Sequence, residues 1–231
     1  MEIFINSFIA GITQTIIGHP FDTVKTIKQI YPNKYYSIII KDIITKKSIL
    51  YLYRGYFFPL IGGCLQNSFI FTLENKFRNH IDSSLISGFL AGSASTFVMT
   101  PAEYLKCNLQ IDSNLKYIDV FKSSNIFKGL SLTLLRDSIG FSIYFSSYKY
   151  LQSKYDNPFL NGGIAGVLSW VYSYPVDTVK TKYQVSDMFI SQIINKTSYS
   201  ELTAGMRIML ARAFCVNAGI FYTFDYLNKQ K

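Results

Sequence analysis

Charged side chains are few in this chain, and their positions mark where chemistry could be done. Arg136 and Asp137 stand side by side inside an otherwise uncharged stretch over 129–148, and Arg207 and Arg212 interrupt another over 205–224. Ionisable groups at apolar depth are costly, and a functional role is the default reading. A guanidinium binds carboxylate or phosphate oxygens in bidentate fashion, so Arg136 and Arg212 are candidates for holding an anionic group. Asp137 can take a cationic amine or neutralise Arg136, and both uses stay open. No catalytic set accompanies them. His19 and His80 stand alone, and Cys64, Cys107 and Cys215 are far apart. Such spacing offers neither a disulfide framework nor a metal site. No Ser-His-Asp set, paired cysteines or phosphate-binding glycine loop is present, so no enzyme activity, metal or cofactor is expected.

A second group of charges recurs in three copies. Pro20-Phe21-Asp22-Thr23-Val24-Lys25, Pro101-Ala102-Glu103-Tyr104-Leu105-Lys106 and Pro175-Val176-Asp177-Thr178-Val179-Lys180 each set an acid and a lysine at fixed offsets after a proline. A glutamine closes each copy (Gln29, Gln110, Gln184), and an Ala-Gly pair precedes it (Ala10-Gly11, Ala91-Gly92, Ala165-Gly166). Repetition at this spacing means one supersecondary unit used three times, with boundaries at 1–80, 81–156 and 157–231. Pro20, Pro101 and Pro175 each remove a backbone donor and are expected to kink a helix. Small residues four apart (Ser7 and Gly11, Gly88 and Gly92, Gly162 and Gly166) permit close helix approach in lipid. In a threefold bundle each acid can meet the lysine of the next helix.

The elements that position these residues follow from the apolar background. Of 231 residues 49% are hydrophobic and 16% charged, against about 25% charged in ordinary soluble domains. Segments 3–21, 55–73, 83–102 and 157–176 hold no charge at all. Each matches the roughly 20 residues a helix needs to cross a bilayer. The interrupted stretches 129–148 and 205–224 bring the count to six, and helices are the open-chain way to satisfy backbone groups in lipid. The net charge of +9 suits an anionic partner. Because the charges lie between apolar stretches rather than along one face, a nucleic acid polymer is excluded. The 28–54 connection is rich in lysine, which sets that side as the inner one. The bias to Ile, Lys, Asn and Tyr points to an AT-rich genome, of a parasite or a virus.

The three Pro-x-Asp/Glu-x-x-Lys copies resemble the mitochondrial carrier family. The resemblance implies an all-α membrane protein with six transmembrane helices. They would form a pseudo-threefold bundle of three helix-pair repeats, with short matrix helices. It implies a matrix gate pairing Asp22 with Lys106, Glu103 with Lys180 and Asp177 with Lys25, braced by Gln29, Gln110 and Gln184. At the opposite, cytoplasmic gate the family positions fall on Asn75, Arg78, Lys149, Gln152, Asp225 and Asn228, so only Asp225 with Arg78 makes a full pair and that gate is eroded. Substrate contacts fall on Gly62, Gly63, Arg136, Asp137 and Arg212. A family motif, aromatic-basic-Gly, is kept at Tyr53-Arg54-Gly55 and Phe127-Lys128-Gly129 but reads Thr203-Ala204-Gly205 in the third copy. Anionic lipid is associated with that motif. The implied protein is a compact monomeric carrier of the inner mitochondrial membrane (the host's, for a viral source). It would exchange a small anionic or zwitterionic metabolite, a nucleotide or an amino acid or carnitine-like molecule, by alternating access. The alternative is a degenerate, non-transporting carrier serving as a membrane receptor or adaptor.

Overall fold

The computed structural model describes residues 2–63, 65, 73, 77, 81, 83–112, 114–116, 118, 120, 125–213, 215 and 216, with side chains from 12 onward except at 46, 47, 158 and 159. The described chain is mostly helical. Helix α1 (Glu2–Ile30) leads into a short α2 (Tyr36–Asp42), a π turn (Ile43–Lys47) and a 3-10 turn (Ile49–Tyr53), and residues 57–63 are helical again. Then follow α3 (Ser84–Ile111), α4 (Leu130–Gln152), α5 (Pro158–Val185), the short α6 (Ile190–Lys196) and α7 (Tyr199–Leu202), and helical residues 206–213. Pro20, Pro101 and Pro175 lie inside α1, α3 and α5, and each helix continues past its proline to Ile30, Ile111 or Val185.

Among the described residues one helix, α3, is long and apolar enough to cross a membrane by length and composition. The other long helices carry more charge, four residues in α1 and three each in α4 and α5 against two in α3, which lowers their hydropathy. Their outward surfaces are nonetheless apolar. Leu85, Phe89 and Phe97 on α3, Leu135 on α4, and Ile164 and Tyr172 on α5 are exposed, Phe97 and Tyr172 to 60% and 65%. Exposed apolar side chains in this number suit a non-aqueous neighbour.

The main helix contacts are α3 with α4 and α4 with α5. Gly88 and Gly92 make the first possible: a Cβ at either would sit 2.6 Å from a backbone oxygen of α4, at Phe141 and Asp137 respectively. Ser93 and Ser138 hydroxyls meet across that contact at 2.8 Å, and Ser142 donates to the Leu85 carbonyl at 3.0 Å. The expectation of a close approach at Gly162 and Gly166 is not met among the described residues. A Cβ at Gly162 would be 3.8 Å from the Tyr144 hydroxyl, and nothing comes within 4 Å at Gly166. Large tyrosines (Tyr144, Tyr148) face that stretch and hold the backbones apart.

At one end, two apolar clusters seat the connections on the long helices. Val24, Ile39, Ile43 and Tyr51 join α1 to α2 and its following turns, and Tyr104, Leu105, Leu109 and Val120 do the same for α3. Gly55, Gly129 and Gly205 open the following helical stretches with φ of 77°, 90° and 94°, a left-handed conformation that glycine adopts without penalty. The carbonyl before each glycine has a side-chain donor from a long helix. His19 Nε2 meets Arg54 O at 3.0 Å, Gln184 Nε2 donates to Lys128 O at 3.2 Å, and Tyr174 Oη donates to Ala204 O at 2.9 Å. The third copy has lost its aromatic-basic pair but keeps the same turn. In the other two copies the basic residue ties down the next connection, Arg54 donating to Leu115 O and Lys128 to Ser186 O, each at 2.5 Å.

Candidate functional site

The acid and the lysine of each repeat are three residues apart on one helix, so both project from the same face. The fold brings these faces of α1, α3 and α5 together. Asp22 Oδ2 on α1 meets Lys106 Nζ on α3 at 2.7 Å. Glu103 on α3 pairs with Lys180 on α5, and Asp177 Oδ2 on α5 meets Lys25 Nζ on α1 at 2.5 Å. Three helices are thereby joined into a closed ring by three ion pairs. Lys180 and Asp177 are buried, and the other four side chains are at most 18% exposed.

Each carboxylate has a second oxygen, and an arginine takes it. Arg212 Nε lies 2.6 Å from Asp22 Oδ1. Arg136 Nη1 donates to Glu103 Oε1 at 2.8 Å and to Asp177 Oδ1 at 3.1 Å, while Nη2 and Nε reach Asp137 Oδ1 at 2.6 and 2.7 Å. The planar fork of a guanidinium suits three carboxylates at once, which a lysine could not reproduce. Four carboxylates (Asp22, Glu103, Asp137, Asp177) thus face five cations (Lys25, Lys106, Lys180, Arg136, Arg212). The cluster carries one positive charge in excess, which favours an anionic visitor. Each pair is modest in net energy, because burial removes hydration that Coulomb attraction then offsets.

The glutamines divide. Gln29 Nε2 donates to Asp177 Oδ2 at 2.9 Å and to Thr178 Oγ1 at 3.1 Å, so it does brace an ion pair. The bracing expected of Gln110 and Gln184 is not what the structure has. Gln110 Nε2 donates to Thr23 Oγ1 at 2.9 Å, the position related to Thr178 by the repeat, rather than to the Asp22 carboxylate. Gln184 would need a threonine at position 104, but Tyr104 has no β-hydroxyl, and the amide turns to the Lys128 carbonyl instead.

The remaining predicted positions scatter. Gly62 packs against α3, where a Cβ would lie 2.9 Å from the Ala102 Cβ. At Gly63 nothing described comes within 4 Å. Arg136 and Arg212 do not point into open space; both are docked on ring carboxylates. Asp137 is buried, and its Oδ2 has no hydrogen-bond partner among the described residues. Arg78 and Asp225 lie outside the described residues. Sequence reasoning missed two participants. Lys25 Nζ stands over the rings of Trp170 and Tyr174, 5.2 and 5.5 Å from their centroids. A tryptophan one and a half turns before the third proline, the one tryptophan of the chain, was the available signal.

Comparison with known proteins agrees across the whole length. A family model described as mitochondrial carrier protein matches residues 1–84, 77–159 and 152–230. The chain is 28% identical to the mitochondrial arginine transporter BAC2 of Arabidopsis thaliana, over 96% of this chain and 88% of that one. It is 29% identical to mitochondrial ornithine transporter 1 of Saccharomyces cerevisiae, over 97% and 94%. The human mitochondrial carnitine/acylcarnitine carrier protein is 28% identical over 95% and 90%.

Proposed function

The chain belongs to the mitochondrial carrier family, whose members are transporters and not enzymes, and on that premise we propose that it exchanges a small zwitterionic metabolite of the amino acid or carnitine class across the inner mitochondrial membrane. The working unit is a monomer: six tilted helices in a pseudo-threefold bundle, with the lysine-rich 28–54 connection on the matrix side. The ring of Asp22–Lys106, Glu103–Lys180 and Asp177–Lys25 is the matrix gate, closed in this conformation. Opening it separates α1, α3 and α5 and returns six charges to water, so hydration offsets the lost attraction. Anionic lipid is a partner at the Gly55 and Gly129 turns, where the aromatic-basic-Gly motif is kept.

The observation that carries the cargo reading is the adjacency of Arg136 and Asp137, in contact at 2.6 Å beside the gate. A carboxylate of the cargo would compete with Glu103 and Asp177 for the Arg136 guanidinium, and with Asp22 for Arg212. An amine would take the Asp137 oxygen that now has no partner. A molecule carrying both charges satisfies both groups, whereas a nucleotide would leave the acid facing phosphate. The names of the relatives support the same class. Reconstitution in liposomes, with uptake of labelled arginine, ornithine, carnitine and ADP against matched internal pools, tests this reading. Saturable exchange of the zwitterions, abolished in Arg136→Ala, is expected. Exchange of ADP alone would overturn the cargo class. No exchange of any of them by folded protein would leave the receptor or adaptor alternative.

A further inference from the structure

We infer that a cavity of about 190 Å3, between the ends of α1 and α3 and the short α2, binds a small aliphatic hydroxy acid, and that this ligand holds the ring closed. The site stands on the cavity alone, and its effect on the ring rests on the carrier reading. At ~30 Å3 per water the space equals about six waters, or one branched acid of about five carbons. Four isoleucines line it: Ile27 from α1, Ile39 from α2, Ile43 from the π turn and Ile111 from α3. Such a wall suits a branched aliphatic body, because displacing poorly held water by an apolar group gains affinity.

Polar groups decide what the body must carry. Gln110 lines the cavity and has no exposed surface. Its Nε2 is used on Thr23, and its Oε1 has no hydrogen-bond partner among the described residues. A buried acceptor without a partner is costly, and a donor on the ligand removes that cost. A hydroxyl serves. An ammonium would have to shed its hydration for a single amide oxygen, which costs more than the bond returns. Tyr31 and Lys34 are exposed and form the mouth, with the Lys34 ammonium 4.9 Å from the Tyr31 ring centroid. A carboxylate at the mouth meets that cation in water. Asp42, half-buried, also lines the cavity and would repel a second carboxylate, so the ligand is a monoanion.

The cavity is whole only while α1 and α3 lie together. Gln110 is one turn beyond Lys106 and bonds Thr23, the residue after Asp22, so the site adjoins the Asp22–Lys106 pair. Parting α1 from α3 draws Ile27 away from Ile111 and takes the site apart. A ligand that binds one of two conformations shifts the population toward it by its differential affinity. The hydroxy acid is therefore an inhibitor acting from the matrix side. It is not the cargo, since Arg136, Asp137 and Arg212 are not among the residues lining this cavity.

Thermal unfolding of the purified protein with the 2-, 3- and 4-hydroxy derivatives of isovalerate, and with isovalerate itself, tests the site without any transport. At a hundredfold excess over Kd the best hydroxy acid should raise the midpoint by about 5–11 °C. Isovalerate should bind about two- to twelvefold more weakly. Ile111→Trp, which fills the cavity, should abolish the shift, and Gln110→Met should erase the preference for the hydroxyl. Lys34→Gln, a surface change that spares folding, should weaken binding by up to about fivefold. In liposomes the same acid should lower kcat for exchange of labelled ornithine or carnitine and leave KM unchanged. No shift with any of the acids, equal shifts with and without the hydroxyl, or a shift that survives Ile111→Trp would overturn the site. A rise in KM alone would put the acid at the cargo site and overturn the inference as well. Protein that binds the acid through these residues but exchanges nothing would defeat the carrier reading and the effect on the ring, and would leave the site established.

Discussion

Arg136→Gln removes the one side chain that bonds Asp137, Glu103 and Asp177 together. Glu103 and Asp177 keep their lysines, so the residue left stranded is Asp137. Its Oδ1 loses contacts of 2.6 and 2.7 Å, and its side chain is 6% exposed. Breaking a buried ion pair from one side costs about 3–5 kcal/mol, whereas removing both charges is often close to neutral. Arg136→Gln should therefore be strongly destabilising, and the double variant Arg136→Gln with Asp137→Asn should recover about 2 kcal/mol or more of that loss. The coupling is in the range that neighbouring charged residues show in double-mutant cycles. Thermal unfolding in detergent can be followed by a thiol-reactive dye, because Cys107 is buried in the folded protein. At roughly 2–4 °C per kcal/mol for a chain of this size, the single variant should melt roughly 6–20 °C lower and the double should regain a substantial part. Exchange should be absent in both, since the cargo's anion site is gone. A double variant no more stable than Arg136→Gln would refute the reasoning, as would a single variant melting with the natural protein.

Two further outcomes follow from the same geometry. Exchanging the charges of one pair, Asp22→Lys with Lys106→Asp, should fail to restore thermal stability, because Arg212 Nε sits 2.6 Å from the Asp22 carboxylate and would face a new ammonium. Like charges 4 Å apart repel by about 4 kcal/mol at an effective dielectric constant near 20. Adding Arg212→Gln should recover stability, and a swap that succeeds without it would show that Arg212 does not hold Asp22. Gly92→Ala should destabilise by about 1–3 kcal/mol, since its Cβ would lie 2.6 Å from the Asp137 carbonyl, while Gly63→Ala should melt like the natural protein.

Much of this was open to reading in the one-dimensional chain, and the reason is repetition. An acid and a lysine three residues apart must share a helix face, and three copies on three helices have only a small number of ways to pair. That restriction leaves two directions round the ring, and the family resemblance chose between them: Asp22–Lys106, Glu103–Lys180 and Asp177–Lys25. Arg136, Asp137 and Arg212 stood out because charge inside an apolar stretch is expensive, and that expense is visible without coordinates. Gln110 and Gln184 were misjudged because a glutamine's partner depends on what the neighbouring helix offers at hydrogen-bond distance. Thr23 offers a hydroxyl to one, and Tyr104 offers none to the other.

What the sequence determined by itself is therefore the set of covalently spaced charges, the three-unit plan and the apolar lengths between them. Tertiary structure alone decided where the long side chains end. A guanidinium reaches several ångströms from its backbone, so position 136 is compatible with an open cavity or with the ring carboxylates. Proximity of Glu103 and Asp177, contributed by two other helices, selects the second. The same holds for Trp170 over Lys25: residues 145 positions apart meet because packing, not sequence spacing, sets the distance between α1 and α5.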